Sequence, residues 1–231
     1  ATQANVFVGG IQEDTIVNIE NLTGGIADDI LTGDSLGNRL IGNAGKDSLN
    51  GSAGTDYLRG GLGVDALDGG LGSDTADFSE KTGSVAIALS ASTISTATIG
   101  GVAEDTLTNI ENVTGGTAAD QLIGSAAVNK LVGNQGADIL DGGSGKDTLT
   151  GGLDADTFRF STTPSSLNRD LITDFSSAQG DKLSFSKSIY TGFGSATTLT
   201  NLQFTSGAGL TSATTADQRF IYDTTTGILR F

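Results

Sequence analysis

Eleven oxygen-bearing side chains recur in this sequence at intervals of nine residues: Asp29, Asn38, Asp47, Asp56, Asp65 and Asp74, then Asp120, Asn129, Asp138, Asp147 and Asp156. Carboxylates and amides spaced so regularly, in loops rich in glycine, are suited to holding a hard cation. A cage of carboxylates and backbone carbonyls fits calcium, which takes six to eight oxygens at about 2.3–2.6 Å, better than magnesium, which keeps its waters. Other chemistry is scarce. Histidine and cysteine are absent, so the commonest general base, the thiolate nucleophile and the usual zinc ligands are missing. No HExxH, GxSxG or Walker phrase occurs. A carboxylate pair of the glycosidase kind is the one catalytic arrangement left, and nearly every regular aspartate already has a structural place. The chain is expected not to be an enzyme.

The spacing also predicts the elements that carry these residues. Cut every nine residues from Gly24, the chain reads GGIADDILT, GDSLGNRLI, GNAGKDSLN, GSAGTDYLR, GGLGVDALD and GGLGSDTAD, ending at Asp77. From Gly115 a second block runs GGTAADQLI, GSAAVNKLV, GNQGADILD, GGSGKDTLT and GGLDADTFR, ending at Arg159. The sixth position is the carboxylate or amide. The eighth is apolar: Leu31, Leu40, Leu49, Leu58, Leu67 and Ala76, then Leu122, Leu131, Leu140, Leu149 and Phe158. Six residues of turn and three of strand make a half-coil, and two half-coils make one 18-residue coil of a flattened solenoid. Its strands stack in parallel about 4.8 Å apart. Position eight faces inward, and only stacking buries it.

Loops 18 residues apart then lie over one another, giving the pairs Asp29/Asp47, Asn38/Asp56, Asp47/Asp65, Asp56/Asp74, Asp120/Asp138, Asn129/Asp147 and Asp138/Asp156. At position nine, Arg59 and Asp77, and Asp141 and Arg159, are also 18 apart, so opposite charges meet on neighbouring strands. Asp68, Asp77 and Asp141 are expected on a solvated outer face.

A longer period contains the short one. Gly9-Gly10-Ile11-Gln12-Glu13-Asp14-Thr15 matches Gly100-Gly101-Val102-Ala103-Glu104-Asp105-Thr106, and Asn18-Ile19-Glu20-Asn21 matches Asn109-Ile110-Glu111-Asn112, both at an offset of 91. The chain reads as a duplicated module. Residues 1–77 form the first copy, with a lead-in strand segment 1–23 and an array 24–77. Residues 78–159 form the second, with linker strands 78–114 and an array 115–159. Thr15–Thr23 and Thr106–Thr114 keep the nine-residue register as degenerate lead-in turns, with Glu20 and Glu111 at position six. Because the first copy begins abruptly, Ala1 reads as a cut within a longer repeat protein. Thr93, Thr96, Thr98, Thr106 and Thr108 read as a surface strand.

Composition agrees with a cation-loaded chain. Twenty-seven acidic residues face twelve basic ones, a formal charge of −15. Nucleic acid is excluded as a partner, because phosphates need a basic face. No apolar run is long enough to span a membrane as a helix. Seven divalent ions, one per paired gap, would add about 14 positive charges and nearly cancel the excess.

These phrases, a GGxGxD nonapeptide with an apolar residue at position eight, resemble the RTX (repeats-in-toxin, haemolysin-type calcium-binding) parallel β-roll. The resemblance covers residues 15–159 apart from the inter-array segment 78–105. It implies an all-β chain: a calcium-bound β-solenoid of two tandem nonapeptide arrays plus a C-terminal β cap. It implies roughly five to nine calcium ions held by loop carbonyls and the position-six side chain. Carried over, the ligands of the first array are Asp29 and Asn38; Gly42, Asn43, Ala44, Gly45 and Asp47; Gly51, Ser52, Ala53, Gly54 and Asp56; Gly60, Gly61, Leu62, Gly63 and Asp65; and Gly69, Gly70, Leu71, Gly72 and Asp74. Those of the second are Asp120 and Asn129; Gly133, Asn134, Gln135, Gly136 and Asp138; Gly142, Gly143, Ser144, Gly145 and Asp147; and Gly151, Gly152 and Asp156. Ala27, Leu36, Ala118, Ala127 and Asp154 depart from the glycine at position four, and Asn38 and Asn129 from the carboxylate.

The segment 158–185, with its D-x-I-x-D-F and G-D-K-L phrases, resembles the part that closes the roll in type I secreted proteins. There Asp170 matches a terminal calcium ligand, although the family's partner aspartate is missing and Thr163 or Ser165 stands nearby. Residues 160–231 are expected to form the cap, ending in a β-hairpin at 219–231, with Leu183, Phe185, Ile189, Tyr190, Phe193, Leu199, Leu202 and Phe204 covering the open core. The end at Phe231 reads as trimmed. The resemblance further implies a secreted or cell-surface bacterial protein whose partners are calcium ions and the type I secretion machinery, and whose repeats are disordered at low calcium. The alternative is a surface- or polysaccharide-binding adhesin module.

Overall fold

The computed structural model describes residues 20–165, 167–186 and 188–190 in full, and the backbone of the strands Gln3–Val8, Ile11–Val17, Phe204–Gly207, Phe220–Asp223 and Ile228–Arg230. Every regular element among these residues is a strand. The strands fall into two long sheets that take alternate half-coils. Asp29–Thr32, Ser48–Asn50 and Ala66–Asp68 lie in one sheet. Asn21–Thr23, Arg39–Ala44, Tyr57–Leu62 and Thr75–Asp77 lie in the other. Pairing is parallel at the 18-residue register: Leu31 beside Leu49 beside Leu67, and Leu40 beside Leu58 beside Ala76. The second array repeats this with Leu122 beside Leu140 beside Phe158, and Leu131 beside Leu149.

The three-residue strands explain the pattern of burial. Side chains alternate across a strand, so only the central residue of each triplet points inward. Leu40, Leu58, Leu122, Leu131, Leu140, Leu149 and Phe158 are fully buried. This apolar ladder holds the sheets together, and no single repeat supplies more than one rung.

The segment between the arrays is part of the roll and not a spacer. Thr75–Asp77 pairs directly with Asn112–Thr114, Ala76 beside Val113, so one sheet passes straight from array to array. The other passes through three strands. Ala66–Asp68 pairs in parallel with Val102–Thr108, Leu67 beside Leu107. Val102–Thr108 is antiparallel to Ser95–Ile99, which is antiparallel to Val85–Ala88, which is parallel to Gln121–Ile123. Phe78, Val85, Ile87, Leu89, Ala97, Leu107 and Ile110 are buried there in the same cluster as the leucines of both arrays. The 91-residue duplication reappears in the backbone. Gln3–Val8 and Ile11–Val17 pair antiparallel as their counterparts Ser95–Ile99 and Val102–Thr108 do.

At the other end Leu171–Ile172 and Lys182–Phe185 continue the two sheets. Phe175, Leu183, Phe185 and Tyr190 pack against the core. Phe185 stacks on Phe160 at 5.2 Å and meets the Tyr190 ring edge-on at 5.2 Å. Phe220–Asp223 and Ile228–Arg230 are antiparallel, with Ile228 opposite Leu171, so these two strands extend the second sheet; the turn of the hairpin expected at 219–231 lies outside the described residues. Phe193, Leu199, Leu202 and the side chain of Phe204 lie outside the described residues.

One expectation about position nine needs correcting. Asp68 is half-buried, but Asp77 and Asp141 are buried, at 2 % and 1 % exposure. The arginine on the neighbouring strand lies across each of them. Arg59 Nε donates to Asp77 at 2.7 Å, joined by the Tyr57 hydroxyl, and Arg159 Nε donates to Asp141 at 2.8 Å. The pairing follows from the 18-residue spacing, but the long arginine stems also shield the carboxylates from water.

Candidate metal centre

The position-six residues form one hydrogen-bonded ladder along each edge of the roll. The backbone N–H of Asp29 donates to Asp47 Oδ1, that of Asp47 to Asp65 Oδ1, that of Asn38 to Asp56 Oδ1 and that of Asp56 to Asp74 Oδ1, all at 2.7–2.8 Å. In the second array Asp120 donates to Asp138, Asn129 to Asp147 and Asp138 to Asp156, at 2.7–2.9 Å. All seven pairs expected from spacing are therefore brought together. The ladder also runs beyond the arrays. Asp65 donates to Asp105 Oδ1 at 2.8 Å, Asp74 to Glu111 Oε2 at 2.9 Å, Asp147 to Asp170 Oδ1 at 3.1 Å and Asp156 to Asp181 Oδ1 at 3.0 Å.

The second carboxylate oxygen behaves in two ways, and the loop conformation decides which. In Asp29 and Asp120, Oδ2 accepts the N–H of the position-two glycines Gly25 and Gly116 at 2.6 Å. The Oδ1 atoms of Asn38 and Asn129 likewise accept the N–H of Asp34 and Ser125, at 2.8 and 2.7 Å. In Asp47, Asp56, Asp65, Asp74, Asp105, Asp138, Asp147 and Asp156, the buried Oδ2 has no hydrogen-bond partner. Seven of these eight sit in array loops whose position-two residue has a positive φ: Asn43, Ser52, Gly61, Gly70, Asn134, Gly143 and Gly152; Gly101, at position two before the eighth, Asp105, has one too. That turn carries the N–H away from the carboxylate. In the same seven loops position four also has a positive φ, at Gly45, Gly54, Gly63, Gly72, Gly136, Gly145 and Asp154. The four closed loops carry Ala27, Leu36, Ala118 and Ala127 at position four, residues for which a left-handed backbone is costly. Asp154 departs from glycine yet adopts φ +82°, as aspartate tolerates better than most residues.

The position-one glycine completes the cradle. A Cβ on Gly42 would collide with the Asp47 carboxylate and lie 2.5 Å from the Gly60 carbonyl oxygen of the next loop. The gap thus brings together an unpartnered carboxylate oxygen and a backbone carbonyl of the loop stacked on it. Among the described residues no three acidic side chains converge on a point. A cation held in these gaps would take most of its oxygens from the backbone.

Electrostatics point the same way. Loss of water, reinforced by the carboxylates stacked above and below, pushes Asp47, Asp56 and Asp156 up to about 6, and Asp138 up to about 7. Burial raises Asp65, Asp74 and Asp120 as well, and does the same to the neighbouring Asp147 and Asp170. Buried like charges without counter-ions are unfavourable. Orphaned oxygens, carbonyls in reach and raised carboxyl pKa values together fit a hard divalent cation.

Asp105 and Asp181 belong to the ladder without sharing its nine-residue numbering. Gly100-Gly101-Val102-Ala103-Glu104-Asp105-Thr106-Leu107-Thr108 is itself a nonapeptide with aspartate sixth and leucine eighth, so the signal for Asp105 lay in the phrase that marks the duplication. Asp181, in the G-D-K-L phrase, follows Asp156 by 25 residues, beyond the reach of periodicity. Asp174 closes the last loop by accepting the N–H groups of Gly151 and Gly152, at 3.0 and 2.8 Å.

A parallel β-roll whose stacked loops present unsatisfied carboxylates defines a calcium-binding repeat protein. The family model of the RTX calcium-binding nonapeptide repeat matches residues 41–76 and 123–158, so this chain carries an RTX repeat region. No curated protein matches the chain. The region is a calcium-binding module of a kind typical of secreted bacterial proteins. No helix among the described residues is long and apolar enough to cross a membrane.

Proposed function

We propose that this chain is a non-catalytic folding unit of an exported protein, closed by calcium after it leaves the cell. The observation that carries the reading is the set of eight buried carboxylate oxygens without partners. In the absence of a cation, each costs the fold the desolvation of a charged group, or holds a proton at a raised pKa. The seven loops with positive φ at positions two and four, 42–47, 51–56, 60–65, 69–74, 133–138, 142–147 and 151–156, supply the open carboxylates. The closed loops around Asp29, Asn38, Asp120 and Asn129 contribute carbonyls and stacking.

Extracellular calcium modules bind at roughly 10⁻⁴–10⁻³ M. At cytosolic calcium, far below that, the acidic and glycine-rich chain gains nothing from its ligands, and an unfolded chain suits export by the type I machinery. Outside, each ion bound only by the folded state adds stability by mass action. Neighbouring coils share the carbonyls and carboxylates of a gap, so folding spreads from coil to coil. Circular dichroism against calcium concentration, with a chelator control, tests the proposal. The expected result is a cooperative gain of β-structure on adding calcium. A chain fully β-structured and heat-stable in chelator would refute it.

A further inference from the structure

Lys81 lies in the joint between the arrays and is only 6 % exposed. Its Nζ donates to the Gly61 carbonyl oxygen at 2.6 Å and to Glu104 Oε2 at 2.8 Å. A lysine so buried is unfavourable unless its charge is matched. The surrounding charge is negative: Asp65 and Asp105 each have a buried Oδ2 without a partner, and the Lys81 charge acts on both carboxyls.

The backbone shows what kind of position this is. In the arrays a position-two glycine sits against the position-two carbonyl of the loop before it, Gly143 against Ser125 and Gly152 against Asn134. Gly116 sits in the same way against Lys81, where a Cβ on it would lie 2.5 Å from the Lys81 carbonyl oxygen. Val85 donates its N–H to Asp120 Oδ1 at 2.7 Å, as Asp138 does to Asp156. Lys81 therefore holds position two, and Val85 position six, of the loop that follows 60–65 along this edge. That loop has valine where the ladder carboxylate would stand, and its one acidic residue, Glu80 at position one, pairs with Arg59. Asp105 supplies the ladder acceptor for Asp65 instead. The lysine side chain turns back across the gap to the Gly61 carbonyl, one of the oxygens the RTX resemblance assigns to calcium.

We propose that the Lys81 ammonium is the resident cation of the gap between loop 60–65 and the joint, standing where the other gaps take calcium. The inference rests on the calcium reading of those gaps. An ammonium satisfies acceptors through three N–H donors and needs no shell of six oxygens, which suits a gap whose following loop has Val85 at position six. The joint then carries a positive charge of its own at every calcium concentration. It gives both arrays a preformed end from which coils can add.

Equilibrium dialysis against calcium, counting ions bound per chain, tests this on the full chain, with circular dichroism at saturating calcium as the fold control. Asp105→Asn removes a carboxylate from this gap but keeps its shape and the acceptor for Asp65. It is expected to leave the number of bound ions unchanged. Lys81→Met is expected to bind one ion more than the parent, Lys81→Arg the same number as the parent, and the Lys81→Met/Asp105→Asn double variant to lose the extra ion. If Asp105→Asn alone loses one ion, calcium occupies this gap and the proposal is overturned; this arm decides even if Lys81→Met does not fold. A folded Lys81→Met chain binding the parental number overturns it as well. A parent chain that binds no calcium defeats the calcium reading itself, an outcome distinct from either.

Discussion

Asp105 accepts the backbone N–H of Asp65 at 2.8 Å, although forty residues separate them. That bond carries the ladder of the first array into the strand Val102–Thr108 of the segment between the arrays. Beside it, Leu67 stacks on Leu107 and Ala76 on Val113. The arrays therefore share one core, and calcium-driven folding should be a single transition across 20–185. Hydrogen exchange at a calcium concentration near the midpoint checks this. Amides of Leu49 and Leu140 should gain protection together. Two resolved steps, one per array, would show the joint to be uncoupled.

Carboxylates at positions six and nine should fail in different ways. Asp56→Ala removes an oxygen from a stacked gap and should raise the calcium midpoint several-fold. Asp68→Ala, at a half-buried position with no ladder bond, should change it little. Asp77→Ala removes the acceptor shared by the Arg59 guanidinium and the Tyr57 hydroxyl, and should cost about 1–3 kcal/mol of stability even at saturating calcium. Titrations followed by circular dichroism, paired with melts in excess calcium, separate the effects. Equal calcium affinities for the Asp56 and Asp68 variants would refute the register.

Acidity should act in opposite directions with and without calcium. The folded-state values of Asp47, Asp56 and Asp156, at about 6, and of Asp138, at about 7, lie above the unfolded value near 3.8. The folded chain without calcium thus binds more protons than the unfolded one. That contribution is fully present below about pH 4 and is lost as pH rises through 6 to 7. In chelator, residual β-structure should be greater at pH 5 than at pH 8. With calcium, protons compete for the same oxygens, so the calcium midpoint should rise as pH falls through that range. Circular dichroism at fixed ionic strength measures both. A calcium midpoint independent of pH between 5 and 8 would contradict the buried, proton-binding carboxylates.

Gly70 has φ +90°, and a Cβ on it would collide with the Ser52 carbonyl of the loop before. Gly70→Ala should destabilise the calcium-loaded chain by about 1–3 kcal/mol, from left-handed strain plus the clash. Gly25→Ala, in a loop whose position two lacks positive φ and has open space around it, should cost less than half as much. Thermal melts in excess calcium compare them.

Much of this was legible because one residue in nine faces the core and one in nine faces the gap, so two columns of the alignment carry two separate physical demands. The seven stacked pairs and the Arg59–Asp77 and Arg159–Asp141 contacts followed from the 18-residue coil alone. The joint was harder. There Asp105 and Lys81 act through a strand crossing, and no fixed spacing connects Lys81 to Gly61. The burial of Asp77 was missed because its position predicts direction relative to the sheet but not what a long arginine on the next strand will cover. Glycine at position four marks six of the seven array loops that open. Asp154 shows that the backbone demand, and not the glycine, is what the loop requires.

The two sheets take paths of different length through the joint. Between Ala66–Asp68 and Gln121–Ile123 an uninterrupted roll would place one strand, and three are present, while the opposite sheet passes from Thr75–Asp77 straight to Asn112–Thr114. Two additional strand widths amount to about 10 Å. One sheet is therefore longer than the other across the joint, and there the duplicated chain departs from the uniform rise of a roll.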